Sequence, residues 1–156
     1  MDKQEIRAAI ASLIEQQEAA IHNHPPNLAT AYIEGRDLCL EAFVDFWAKE
    51  ELPHHLTDDD LLLITRYQLS SSFVSAWYHL VGNKARRDQA AHSCTILVTG
   101  LGLDSEVAFT GYVRLEQMWR RSLTEKGLVP QYGRGIACLA VIVIIISVVV
   151  YWFFFR

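Results

Sequence analysis

The sequence contains few cysteines and none of the short motifs that mark the common catalytic and nucleotide-binding sites. Its three cysteines, Cys39, Cys94 and Cys138, are odd in number and widely spaced, so the sequence predicts neither a disulfide framework nor a CxxC site. The GxSxG elbow of serine hydrolases and the glycine-rich loops that bind nucleotides are both absent. We therefore expect a protein of a reducing compartment with no cofactor, no small-molecule substrate and no enzymatic activity.

Histidine occurs six times, but not in the arrangement that a metal site of a helical bundle requires. Di-iron bundles of the ferritin type use a glutamate and a histidine three residues apart on paired helices. The one such pair here, Glu51 and His54, encloses Pro53 and belongs to a predicted loop. We expect no bound metal, and a metal-binding or enzymatic bundle is the most remote functional alternative.

Three further signals are missing. The first twenty residues are charged and amphipathic, without the apolar core and cleavage site of a secretory signal peptide, so none is expected. No segment shows two-residue alternation bounded by hairpin turns, so no β-sheet is expected. The formal net charge is −4, which disfavours nucleic acid as a partner.

What is present is helical periodicity. Pro25 and Pro26 break the first helical pattern, and Thr57, followed by three aspartates, provides a strong helix start. The pattern predicts five helices, at about 4–22, 27–50, 57–81, 84–99 and 104–127. The third is apolar around much of its circumference, which predicts that it lies at the centre. The expected fold is all-α, a compact antiparallel bundle of about five helices in a domain spanning residues 1–127.

Residues 136–155 contain no charged side chain, and fourteen of these twenty residues are Leu, Ile, Val or Phe. Twenty helical residues reach about 30 Å, the thickness of the hydrocarbon core of a bilayer. A strand of this length is far too long, and a domain this small cannot bury a helix that is apolar on all sides. The sequence therefore predicts a C-terminal transmembrane tail anchor after a linker at 128–135, with representative span residues Ile136, Leu139, Val143, Ile146, Val150 and Phe155.

The residues that flank the predicted span set its expected orientation. Four basic residues precede it within about 20 positions and one follows it, so the positive-inside rule places the N-terminal domain in the cytoplasm. The predicted interface anchors are Arg134, Tyr151, Trp152 and Arg156. A bacterial inner membrane is favoured, and a eukaryotic membrane that receives tail-anchored proteins is the alternative.

Charge is distributed unevenly before the span. Residues 1–60 hold thirteen acids against four bases, whereas residues 61–134 hold five acids against nine bases. Because the basic half adjoins the predicted anchor, Arg86, Arg87, Arg120 and Arg121 are candidates to face membrane lipid. The alternative is that these residues belong to ordinary solvated helix faces.

The acidic half is the candidate docking surface for another protein or for a second copy of the chain. Aromatic and acidic residues alternate around the sequence FVDFW, which selects Glu34, Glu41, Phe43, Asp45 and Trp47. The same aromatic residues are equally consistent with a core position. The favoured function is a non-enzymatic interaction or scaffold module, or a subunit of a membrane assembly. The alternative is a small single-pass protein that modulates membrane activity, of the immunity, exclusion or lysis-control type.

Overall fold

The computed structural model describes residues 2–23, 26–47 and 56–128, and the side chains of residues 26 and 44–47 lie outside that description. The described residues form five α-helices and no strand: α1 (Lys3–Asn23), α2 (Pro26–Trp47), α3 (Asp58–Leu80), α4 (Lys84–Leu101) and α5 (Ser105–Glu125). The predicted all-α fold of five helices is confirmed. The predicted linker beyond Leu128 and the predicted span lie outside the described residues. No helix within those residues has the length and apolar character needed to cross a membrane.

Helices α1 and α3 run in the same direction. Arg7 binds Asp60 near their starts, and the Ser70 hydroxyl donates to Gln17 Oε1 at 2.7 Å some three turns later. Both pairs are 53 residues apart, so the two helices stay in register along their length.

Helix α4 runs opposite to α3, because Arg86 near its start contacts Tyr78 at the end of α3, while Ala90 contacts Ser71 further back. The end of α4 also returns to the start of α1. A Cβ atom placed on Gly100 would lie 2.9 Å from the tip of the side chain at position 6. Helices α4 and α1 are therefore antiparallel as well.

Helix α5 runs with α3, since Gln68 donates to the Ala108 carbonyl at 2.9 Å and His79 lies beside Glu116 two to three turns further along each helix. The directions of the five helices therefore alternate along the chain. The starts of α1, α3 and α5 lie at one end, called the distal end. Their last turns, the starts of α2 and α4, and Leu128 lie at the other, called the exit end.

Helix α3 is the central helix, as predicted, and contacts each of the other four. Thr57 and Asp60 form a capping box at its start, with the Asp60 amide donating to Thr57 Oγ1 at 3.1 Å. The predicted helix start is confirmed. Three consecutive serines, 70–72, are fully buried in α3, where small side chains allow close approach of the surrounding helices.

Asp104 is the predicted start of α5, whereas α4 continues two residues beyond its predicted end at residue 99. Gly102 ends α4 in the left-handed conformation with φ 117°, which only glycine adopts at little cost. Asp104 then caps α5, its carboxylate accepting the amide hydrogens of Glu106 and Val107 at 2.9 and 3.1 Å. Because the α4–α5 turn is short, α5 packs beside α4, and it also contacts α3.

An aromatic cluster joins α2, α3 and α5. The Trp119 ring is fully buried, stacks on Tyr32 at 5.6 Å and meets Phe73 edge-on at 4.9 Å between ring centroids. Its indole N–H donates to the Leu69 carbonyl at 3.2 Å, so the ring is fixed in orientation as well as position. Gly35 faces this ring, and the absence of a side chain there allows α2 to approach α5 closely.

Candidate functional site

The four arginines predicted to face lipid all lie towards the exit end. Arg86 and Arg87 are in the first turn of α4, and Arg120 and Arg121 are in the last two turns of α5. The two pairs are far apart in the sequence, but both flank the C-terminal turn of α3. The antiparallel turn between α3 and α4 and the parallel packing of α5 on α3 bring them to one corner of the bundle.

An open cleft of about 640 Å³ lies at this corner between the end of α3 and α5. His79 contributes from α3, and Arg120, Arg121 and Glu125 contribute from α5. Arg87 reaches its border from α4, with Nη1 3.0 Å from His79 Nδ1. We call this space, together with the residues that line and border it, the exit-end cleft.

His79 is neutral in this arrangement. A guanidinium has only donors, so His79 Nδ1 must accept from Arg87, which places the ring proton on Nε2. The carboxylate of Glu116 lies 3.8 Å from the same nitrogen, beyond hydrogen-bond distance. Burial and the neighbouring Arg120 lower the pKa of His79, although Glu116 acts in the opposite direction.

The positive charge of the cleft is weakly compensated by carboxylates. Arg120 has no carboxylate within ion-pair distance among the described residues. Arg121 pairs with Glu125 one turn on at 2.9 Å, and Arg87 pairs with its neighbour Asp88 at 2.6 Å. Exposed pairs of this kind contribute about 0.2–1 kcal/mol, so an outside anion can compete for either arginine.

The start of α4 adds positive charge at the same corner. Its first turn has no acidic residue, and Asn83 caps it by accepting the Arg86 amide hydrogen at 3.2 Å. Arg86 itself lies over the Tyr78 ring and donates to its hydroxyl at 3.1 Å. Cations at the positive end of a helix dipole cost a few tenths of a kcal/mol each, which a bound anion would offset.

The distal end has the opposite charge. Acidic residues occupy or precede the first turns of α1, α3 and α5, namely Asp2, Glu5, Asp58, Asp59, Asp60, Asp104 and Glu106. Carboxylates are favoured at helix N-termini, and the fold places three N-termini together. The charge asymmetry along the chain therefore also separates the two ends of the bundle.

One distal carboxylate is buried. Asp60 is 2% exposed and accepts two hydrogen bonds from the Arg7 guanidinium, at 2.7 and 3.0 Å. This bidentate contact, assisted by Thr57, lowers the pKa of Asp60 to about 2 despite the opposing effect of burial.

Three residues of the predicted partner surface have described side chains, and they differ in exposure. Glu34 and Glu41 are both exposed and lie two turns apart on the same face of α2, and Glu34 pairs with Lys126. Phe43 is 1% exposed, because it continues the inward face of α2 formed by residues 28, 32 and 39. Phe43 is therefore a core residue and does not belong to a docking surface. The side chains of Asp45 and Trp47 lie outside the described residues.

The predicted membrane residues also lie outside the described residues. They are the span positions Ile136, Leu139, Val143, Ile146, Val150 and Phe155, and the anchors Arg134, Tyr151, Trp152 and Arg156. The sequence did not indicate that His79 lies among the arginines of the cleft or that Glu116 lies beside it. Both depend on contacts between helices, and the only local signal was a histidine in the last turn of α3.

Serine hydroxyls and cysteine thiols inside the bundle are hydrogen-bonded within it or enclosed by other side chains. Ser70 donates to Gln17 and Ser72 to the Leu69 carbonyl, so these hydroxyls join or brace helices. Burial raises the pKa of Cys39 to about 11 and that of the fully enclosed Cys94 further. Both thiols stay protonated at neutral pH.

Residues 2–23, 26–47 and 56–128 contain no group of three or more His, Cys, Asp or Glu side chains placed to hold a metal ion. No protein-family model, curated protein or solved structure matches the chain.

Proposed function

We propose that this chain is a tail-anchored membrane protein whose helical domain is a non-enzymatic interaction module on the cytoplasmic side. Residues 136–155 cross the membrane and residues 128–135 connect them to the bundle. The hydrophobicity and length of the uncharged segment support the span. The flanking basic residues support the orientation.

The observation that carries the proposal is the position of positive charge at the end from which the chain continues. Leu128 follows α5 at the exit end, beside the start of α2, and the exit-end cleft lies on the other side of α5. An eight-residue linker spans at most about 28 Å, so the exit end remains close to the lipid surface. Each Lys or Arg near an anionic bilayer contributes about 1 kcal/mol of attraction, which would hold this end towards the headgroups.

The distal end then faces the cytoplasm and is the proposed docking surface for a protein partner. Asp58 and Asp59 are exposed there, as are Asp104 and Glu106. A partner with a basic surface is favoured, because complementary charge accelerates encounter and disfavours wrong partners. Anchoring confines the module to a thin layer and raises its effective concentration towards other membrane-bound proteins.

The environments of the interior nucleophiles support a non-enzymatic role. The hydroxyls of Ser70 and Ser72 donate to groups within the bundle, and burial raises the pKa values of the thiols. The groups that converge at an open cleft are arginines around a neutral histidine, an arrangement suited to holding an anion.

Flotation of the full-length protein tests the anchor. Incorporated into vesicles of phosphatidylcholine alone, it should float with them and resist extraction by alkaline carbonate. Replacement of Ile142 and Val143 by arginine should abolish this, because each charge at the centre of a span costs about 2.5–3.5 kcal/mol. Carbonate release of the unmodified protein from neutral vesicles would refute the anchor.

Crosslinking on native membranes tests the docking surface. Full-length protein should capture a partner that the double variant Asp58→Lys/Asp59→Lys loses, whereas Glu34→Lys at the exit end should retain it. Equal capture by all three proteins would exclude the distal end as the docking surface. If the residues 128–156 alone reproduced the cellular effect, the span would be the active part and the protein would belong to the modulators of membrane activity.

A further inference from the structure

The exit-end cleft combines open space with arginines whose charge is incompletely neutralised. It has a volume of about 640 Å³, and Arg120 lines it without a carboxylate partner among the residues that the structure describes. Arg87 on α4 contacts the ring of His79 at the border of the cleft, and the charge of Arg120 on α5 also acts on this ring.

The carboxylates near the cleft differ in how firmly they are held. Glu116 is largely buried, with 14% of its side chain exposed, and stays beside His79. Asp88 and Glu125 are mostly exposed, at 52% and 64%, and bind neighbours on their own helices. Solvated short-range pairs of this kind separate at little cost. An entering anion therefore competes with these two exposed carboxylates for their arginines.

We infer that the exit-end cleft binds the phosphate group of an anionic lipid headgroup, held between Arg87 and Arg120. The planar guanidinium fork matches phosphate oxygens and forms short, charge-assisted hydrogen bonds. Arg86 and Lys84 at the start of α4 add attraction around the cleft. A lipid is the expected source because the cleft lies at the end of the bundle that the proposed anchor holds at the membrane. The inference rests on the proposed function in this respect.

His79 provides a local reporter of the bound phosphate. The groups that face it are Arg87 with Asp88 from α4, and Glu116 and Arg120 from α5. A phosphate between the two arginines offsets their repulsion of a protonated imidazole. The pKa of His79 should therefore rise when the headgroup binds.

The test uses the full-length protein in dodecyl maltoside, a detergent without phosphate. Dibutyryl phosphatidic acid is added, and its binding is followed by calorimetry and by the pH titration of the His79 ring signal in NMR spectra. Binding should raise the pKa of His79. Arg87→Gln and Arg120→Gln should each weaken binding by about tenfold or more, as expected for the loss of one charge-assisted contact.

Arg36→Gln is the matched control, because it removes the same charge from an exposed site on α2. It should leave both binding and the histidine titration unchanged. If it weakens binding as much as Arg120→Gln does, the attraction is nonspecific and the inference is wrong. Circular dichroism checks the fold of each variant, and Arg120→Gln decides the question if Arg87→Gln is unfolded.

Inorganic phosphate is the second probe and separates the two sources of the ligand. Binding as tight as that of dibutyryl phosphatidic acid would overturn the assignment to a lipid, and an unchanged His79 titration with bound lipid would overturn the site. The carbonate test on neutral vesicles involves no anionic headgroup. A failed anchor with intact headgroup binding would thus refute the proposed function alone, and an intact anchor without headgroup binding would refute this inference alone.

Discussion

Replacement of Gly35 by alanine should destabilise the bundle, although alanine is the better helix former. A Cβ atom at this position would lie 2.5 Å from Cζ3 and 3.3 Å from Cη2 of Trp119. The indole cannot move aside easily, because Tyr32 and Phe73 pack on it and its N–H is bonded to a backbone carbonyl. Either α2 shifts away from α5 or the ring loses its position.

The size of the effect follows from opposing contributions. Glycine to alanine within a helix gains about 0.5–1 kcal/mol of intrinsic stability. Overpacking of a filled core costs about 1–3 kcal/mol, and a strained indole hydrogen bond loses about 1 kcal/mol more. The net destabilisation should therefore be about 1–3 kcal/mol, or a fall in Tm of roughly 3–10 °C for a domain of this size.

Gly100→Ala is the matched control, since it makes the same chemical change inside α4. Its Cβ atom would meet the Cδ1 atom of Ile6 at 2.9 Å, the far end of a flexible side chain that can rotate away. This variant should be neutral or up to about 1 kcal/mol more stable than the unmodified protein. Urea unfolding of the full-length protein in detergent, followed by circular dichroism, measures both. Equal stability of the two variants would refute the proposed role of the close α2–α5 contact.

Two further predictions concern titratable groups. Because Arg7 holds the pKa of folded Asp60 at about 2, below its ordinary 3.8, the pair stabilises the fold above about pH 4 and this contribution disappears as the pH falls through 2. Asp60→Asn should therefore cost about 1–2 kcal/mol of unfolding free energy at pH 7, a value reduced for the solvent screening of the partly exposed Arg7. The urea midpoints of the variant and the unmodified protein should converge as the pH falls to 2. A difference between them that stays constant with pH would contradict the ion pair. Burial of Cys39 and Cys94 should keep iodoacetamide from both thiols until urea unfolds the protein, and mass spectrometry showing alkylation of Cys94 before unfolding would contradict its enclosure.

The helices could be predicted from the sequence because their boundaries are marked locally. Thr57 and Asp104 cap α3 and α5, and Gly102 ends α4, each through contacts within a few residues. Such features need no knowledge of which helices pack together.

The arrangement of the candidate site could not be predicted in the same way. The pairing of Arg7 with Asp60 joins residues 53 positions apart, and the cluster around His79 needs three helices in place. The burial of Phe43 could not be predicted from the sequence either. Aromatic residues crowd the end of α2, and only its packing on the bundle shows that this ring is inside.

The number of helices has a geometric consequence. The described residues form five helices, an odd number, so a bundle in which they alternate in direction starts at one end and finishes at the other. Helix α5 has 21 residues and is therefore about 31 Å long, which sets the height of the domain. A fluorophore at Lys3 would thus stand roughly one domain height from Leu128, and energy transfer from it to a dyed lipid surface would report whether the bundle stands upright or lies on its side. With an even number of helices, the same label would sit beside the linker and be insensitive to tilt.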